Sequence, residues 1–159
     1  MSTNFFRALN IAFILLIQMA AFSDTEIDVH IRKGISFAQD MQADKAIHEF
    51  NEALLIDPNH AEAHCMLGIE LYKKAVPKRS ENDLRKAIVE LETAIRIDPE
   101  LAIAHDVVAF AYYILGDFDR SNNHFLEAKR LGIHNKILEA KLKNAFKMIN
   151  LKETMEEPQ

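Results

Sequence analysis

Apolar residues recur along the chain at helical spacing. Ala46, Ile47, Phe50, Ala53 and Leu54 fall at i, i+1, i+4, i+7 and i+8, one face of a helix. Ala87, Ile88, Leu91, Ala94 and Ile95 repeat that face 41 residues later. Helix stops punctuate these runs at Asp57-Pro58, Asp98-Pro99 and Gly116-Asp117. Asn59 ahead of Ala61-Glu62 reads as a capping box, and Gly116-Asp117 as a stop followed by a cap. Pro77 reads as a helix break.

The runs line up in register. Gly34, Gly68 and Ala109 are matched small residues separated by 34 and then 41 positions. In the following helices Ala46, Ala87 and Ser121 are separated by 41 and then 34, as are Phe50, Leu91 and Phe125, and Ala53, Ala94 and Ala128. The unit is therefore 34 residues of helix–turn–helix, with seven extra residues between Gly68 and Ala87. One helix pair cannot bury such a face alone, so neighbouring pairs must stack. After Ile133, the stripe Leu138, Leu142, Ala145, Phe146 and Ile149 predicts a capping helix over residues 135–150, followed by a frayed acidic tail at 151–159.

A 34-residue helix–turn–helix period resembles the tetratricopeptide repeat family. The matching positions are Gly34/Phe37/Ala46/Phe50/Ala53/Pro58, then Gly68/Leu71/Ala87/Leu91/Ala94/Pro99, then Ala109/Tyr112/Ser121/Phe125/Ala128. Two departures stand out: Lys33 occupies a place usually leucine, and Ile133 stands where proline should be, as if the array ends there. The resemblance implies an all-α fold, a right-handed superhelical solenoid with a C-terminal capping helix. Its units would be residues 27–60, 61–101 with the insertion, and 102–134.

The resemblance also implies a concave groove lined by the first helix of each pair. By repeat position the candidate partner-binding residues are Ile31, Ile35, Cys65, Ile69, Tyr72, Asp106, Phe110 and Tyr113. Asp28, Gln39, Glu62, Lys73, Ile103 and Ile114 fall beside them. The same positions can equally be core. Family members that hold a chaperone's C-terminal carboxylates use Lys and Asn where this chain has Ile31 and Ile35. An apolar helix or extended segment of another polypeptide suits this groove better.

Charge and composition narrow the function. The formal net charge is −5 and no dense basic run appears, so nucleic acid is not an expected partner. Cys65 is the single cysteine, which excludes an intramolecular disulfide and a thiolate zinc cluster. No phosphate loop, nucleophile elbow or metalloprotease motif is present, so no enzyme and no cofactor are expected. His30, His64 and His105 share the fourth place of their units. Stacked repeats set such places about 8–10 Å apart, whereas zinc needs each nitrogen at about 2 Å. The column therefore reads as packing and no metal is expected. Asp117 and Asp119 read as turn chemistry rather than a catalytic pair.

Two segments remain. The insertion brings Lys73, Lys74, Lys78, Arg79, Arg85 and Lys86 together against Glu81 and Asp83. It reads as a solvated loop at 74–82, or as a contact for an acidic partner or lipid headgroups. At the start, a weakly cationic MSTNFFR precedes 15 nearly all-apolar residues, 8–22, and then Ala21-Phe22-Ser23 presents small residues for a peptidase. Fifteen helical residues span about 22 Å, short of a hydrocarbon core of about 30 Å. Residues 1–23 therefore read as a cleaved secretory signal, or as an uncleaved membrane anchor.

The functional expectation is a non-catalytic adaptor or assembly scaffold of a bacterial-type cell envelope, exported to the periplasm. An anchor at 8–22 would instead tether it to the inner membrane. The competing expectation is a self-assembling structural protein whose repeats stack into homo-oligomers.

Overall fold

The computed structural model describes residues 26–156, with side chains described as far as Ile149. The signal or anchor expected at 1–23 lies outside the described residues. Among the described residues there are seven helices and no strand. None of these helices is long and apolar enough to cross a membrane. The chain divides at Pro58 into two units.

The first unit holds α1, residues 26–39, and α2, Ala43–Ile56. Ala46, Phe50 and Ala53 form the buried stripe of α2. A Cβ built on Gly34 would lie 2.5 Å from Cε1 of Phe50. Glycine is thus what lets the Phe50 ring lie against α1. Between the helices, the Gln42 amide donates to the Phe37 carbonyl and Met41 adopts φ 56°, the left-handed conformation.

The second unit holds α3 (Ala61–Lys78), α4 (Glu81–Ile97), α5 (Ala102–Ile114), α6 (Phe118–Arg130) and α7 (Lys136–Glu156). Gly68 of α3 meets Leu91 and the Ala87 carbonyl of α4 as Gly34 meets Phe50. Leu84, Ile88 and Leu91 of α4 share a core with Val108, Ala111 and Tyr112 of α5. Ala109, Phe125, Leu138 and Leu142 build a second core that joins α5, α6 and α7. Ser121 stands where the other pairs carry alanine. Its buried hydroxyl donates to the Ala109 carbonyl at 2.7 Å, which removes the cost of a buried polar group.

Three local expectations are corrected. The first is the insertion, which is helix rather than loop. Relative to the α5–α6 pair, it adds five residues to the end of α3 and three to the start of α4, while the turn loses one. Pro77 lies in the last turn of α3, where the missing N–H forgoes only one bond and the helix runs on to Lys78. Arg79, at φ 51°, stops it, and the Ser80 hydroxyl caps α4 by accepting from the Asp83 amide.

The second is the cap of α3. It is His60 rather than Asn59, with Nδ1 of His60 accepting from the Ala63 amide at 3.2 Å. The cap of α6 is as read: Gly116 adopts φ 78° and Asp117 accepts from the Arg120 amide. The third is the end of the chain. α7 continues to Glu156, well past the expected stop at residue 150. The added residues contain neither glycine nor proline, so nothing local ends the helix.

Candidate functional site

The histidine column has a structural explanation. Nδ1 of His30 lies 2.8 Å from Oε2 of Glu49, and Nδ1 of His64 lies 2.7 Å from Oε2 of Glu90. Nδ1 of His105 lies 3.1 Å from Nδ1 of His124. Glu49, Glu90 and His124 are separated by 41 and then 34 residues, the spacing of every other second-helix position. Each histidine therefore ties the two helices of its own pair together. Among the described residues no group of three or more His, Cys, Asp or Glu could hold a metal ion.

The third tie differs because histidine replaces the carboxylate. A carbonyl can only accept, so Nε2–H of His105 donates to the Pro99 carbonyl at 3.2 Å. Its Nδ1 is then the acceptor, and His124 must supply the N–H between them. Burial, then the neighbouring His105, hold the His124 pKa below its usual value. The Tyr112 ring stacks on His124, its hydroxyl donates to Glu92, and the Arg120 guanidinium donates to that same hydroxyl.

The groove residues divide by accessibility. Cys65 is 1% exposed and Ile31 is 6% exposed, so both are core rather than binding surface. Burial, then Glu62, push the Cys65 thiol up to about 11, so it is no nucleophile at neutral pH. Ile35 in the first unit is half-buried.

In the second unit five candidates lie on α3 and α5, Ile69 and Tyr72 on the first and Asp106, Phe110 and Tyr113 on the second. Ile69 and Tyr72 lean on the core that α3 shares with α4 and α5 and remain partly exposed. Phe110 and Tyr113 lean on the core that α5 shares with α6 and α7. The Tyr113 ring lies 5.5 Å from Phe118, and Nζ of Lys141 stands 5.5 Å over it. Burial, then the charge of Asp106, raise the Tyr72 hydroxyl pKa.

Asp106 is not simply open to a partner. Nδ2 of Asn135 donates to both of its carboxylate oxygens, at 3.1 and 3.2 Å, while Oδ1 of Asn135 accepts from the Leu138 amide. A groove residue thus anchors the start of α7. That link joins residues 29 apart and carries no periodic signal, so the pattern could not show it.

No family model matches the chain, and no curated protein does. Solved structures do match. The Arabidopsis OM64 TPR domain is 19% identical, with a TM-score of 0.68, covering 79% of this chain and 98% of that one. The fold is that of a tetratricopeptide-repeat (TPR) domain. The first TPR of Spaghetti (RPAP3), bound to an HSP90 peptide, is 13% identical with a TM-score of 0.66, covering 79% and 94%. The second TPR domain of human RPAP3, in complex with an HSP70 peptide, is 15% identical with a TM-score of 0.63, covering 77% and 97%. The all-α class and the paired helices of the TPR fold are thus as the periodicity implied.

Proposed function

We propose that this chain is a non-catalytic adaptor that binds a segment of another polypeptide along α3 and α5. The carrying observation is the row Ile69, Tyr72, Phe110 and Tyr113, each side chain partly exposed and backed by core. Rigid, half-buried aromatics of this kind are the usual anchors of protein interfaces. Two proteins of the same fold hold peptides of HSP90 and HSP70. Here an apolar residue, or an aromatic one, would seat between Tyr72 and Tyr113, with Lys141 and Asp106 offering one charge of each sign at the edge. We place the adaptor in a bacterial-type envelope on the strength of residues 1–23 alone, read as a signal or anchor.

Site-specific photo-crosslinking tests the reading without truncating any packed side chain. A photoreactive phenylalanine analogue replaces Tyr72 in one protein and Val89, exposed on α4, in another. The adaptor reading expects a discrete crosslink to a second polypeptide from position 72 and none from position 89. Crosslinks from position 89 alone would move the binding face to the outer helices and overturn it.

A further inference from the structure

The α3–α4 pair outruns its neighbour. α3 has 18 residues and α5 has 13, so α5 ends at Ile114 while α3 continues. Beyond that end lies a cavity of about 400 Å³. Its apolar lining is Ala75, Val76, Leu84 and Ile114, and its rim is Arg79, Ser80 and Glu81. Val76 and Ile114 remain 39% and 48% exposed. A longer α5 would fill this notch and cover both.

We propose that the notch receives a bulky apolar side chain of a partner polypeptide, flanked in that partner by carboxylates. Charge selects the flanks. Residues 73–86 carry six cations and two acids, whereas the whole chain is at −5. Lys86 pairs with Asp83 at 3.2 Å and Arg85 approaches the rim carboxylate Glu81 at 3.8 Å. Among the described residues, Arg79 makes no ion pair, and Lys78 does no more than draw on Asp83 through space. Arg79 is therefore the rim cation left for a partner's carboxylate, with Lys78 preceding it in the chain and Arg85 facing the rim's Glu81.

The backbone adds a second observation. Arg79 occupies the left-handed helix-stop position at φ 51°, where Gly116 and Gly132 serve in the later turns. That conformation is costly for any residue with a Cβ and ordinarily goes to glycine. Met41 holds the same conformation in the turn of the first pair, so the strain marks Arg79 only together with its place on the cavity rim. A polypeptide also fits better than a bilayer. An anionic membrane would meet the cations without needing a cavity, and the acidic remainder of the chain would oppose its approach.

Fluorescence anisotropy of the full chain with an array of short labelled peptides tests this. The central residue varies among leucine, phenylalanine and serine, and the flanks among glutamate, serine and lysine. Expected is binding by the glutamate-flanked leucine or phenylalanine members, weakened by salt and absent with lysine flanks. Arg79→Gly should relieve the backbone and raise Tm while weakening that binding at least tenfold. Ile114→Ser should weaken it comparably, and Val89→Ser, exposed on α4, should leave it unchanged. Four outcomes overturn the proposal: no acidic peptide bound at millimolar concentration; equal binding of the central-serine member; binding indifferent to both notch variants; or a homodimer, or adsorption to phosphatidylglycerol vesicles, that these variants abolish while peptides stay unbound.

Discussion

Leu91 occupies the space that a methyl group on Gly68 would need. A Cβ there would stand 2.6 Å from Cγ of Leu91 and 3.1 Å from the Ala87 carbonyl oxygen. Cγ is the branch point of the leucine rather than its free end, and the backbone oxygen holds its place, so α3 and α4 must part. Gly68→Ala should cost about 1–3 kcal/mol, the range for overpacking. Urea unfolding of the single variant, and of Gly68→Ala with Leu91→Val, checks it. The double variant should lose less than the two singles together, because they compete for one volume.

That contact was legible in the sequence. Gly34, Gly68 and Ala109 face Phe50, Leu91 and Phe125 at equivalent places of the repeat, and a helix pair under close approach requires that match of small with large. The seven added residues lengthen α3 and α4 where a loop is expected. Proline signals a break only inside a helix, and Pro77 lies within a turn of the end. Burial was the harder quantity. Cys65 and Ile31 occupy groove positions by register, but how far each helix turns inward depends on neighbouring side chains. The link between Asn135 and Asp106 lay beyond the pattern because it holds the start of α7, which lies outside the repeat.

Met41 and Gly116 hold the same place in the turns of their pairs, and both have positive φ, 56° and 78°. Nothing lies within 4 Å of a Cβ built on Gly116, so its substitution meets only backbone strain. Gly116→Ala should cost about 1 kcal/mol. Met41 is 92% exposed, so its side chain loses no packing on removal. Relief of about 1–2 kcal/mol of strain exceeds the roughly 0.5–1 kcal/mol entropy cost of glycine. Met41→Gly should therefore raise the urea midpoint, and a fall would show that the turn gains from the methionine.

His124 makes stability depend on pH. Its folded pKa is held below the unfolded value of about 6.5, so the unfolded chain binds the proton more readily. The neutral form favours folding, and that stabilisation is full above the unfolded value and fades as pH falls toward the folded one. Protonation adds its proton at Nε2 and leaves Nδ1–H donating to His105, so the penalty is burial of the charge beside His105 rather than a lost hydrogen bond. His124→Gln should be less stable than wild type at pH 8, and the gap should close by pH 5. Urea titrations of both proteins across that range measure it. A gap that widens in acid would mean the histidine pair gains from a shared proton.

Asn135 does two jobs, and three substitutions separate them. Its Oδ1 caps α7 and its Nδ2 holds Asp106. Asn135→Ser keeps a capping oxygen and gives up the tie to Asp106, so it should be mild. Asn135→Ala loses both, at about 1–2 kcal/mol by the usual worth of a cap. Asn135→Asp keeps the cap but faces Asp106 with a second carboxylate, and Asp106 already has its pKa raised by burial. It should be the least stable of the three at neutral pH. Sharing one proton between two facing carboxylates raises the folded pKa above the unfolded one, so the folded state binds more protons. Of the set, Asn135→Asp should regain the most stability as pH falls toward about 4–5, near the carboxylate range. Amide hydrogen exchange should place the protection lost in α7. Uniform loss across α3 to α6 would instead show that α7 holds the whole unit together.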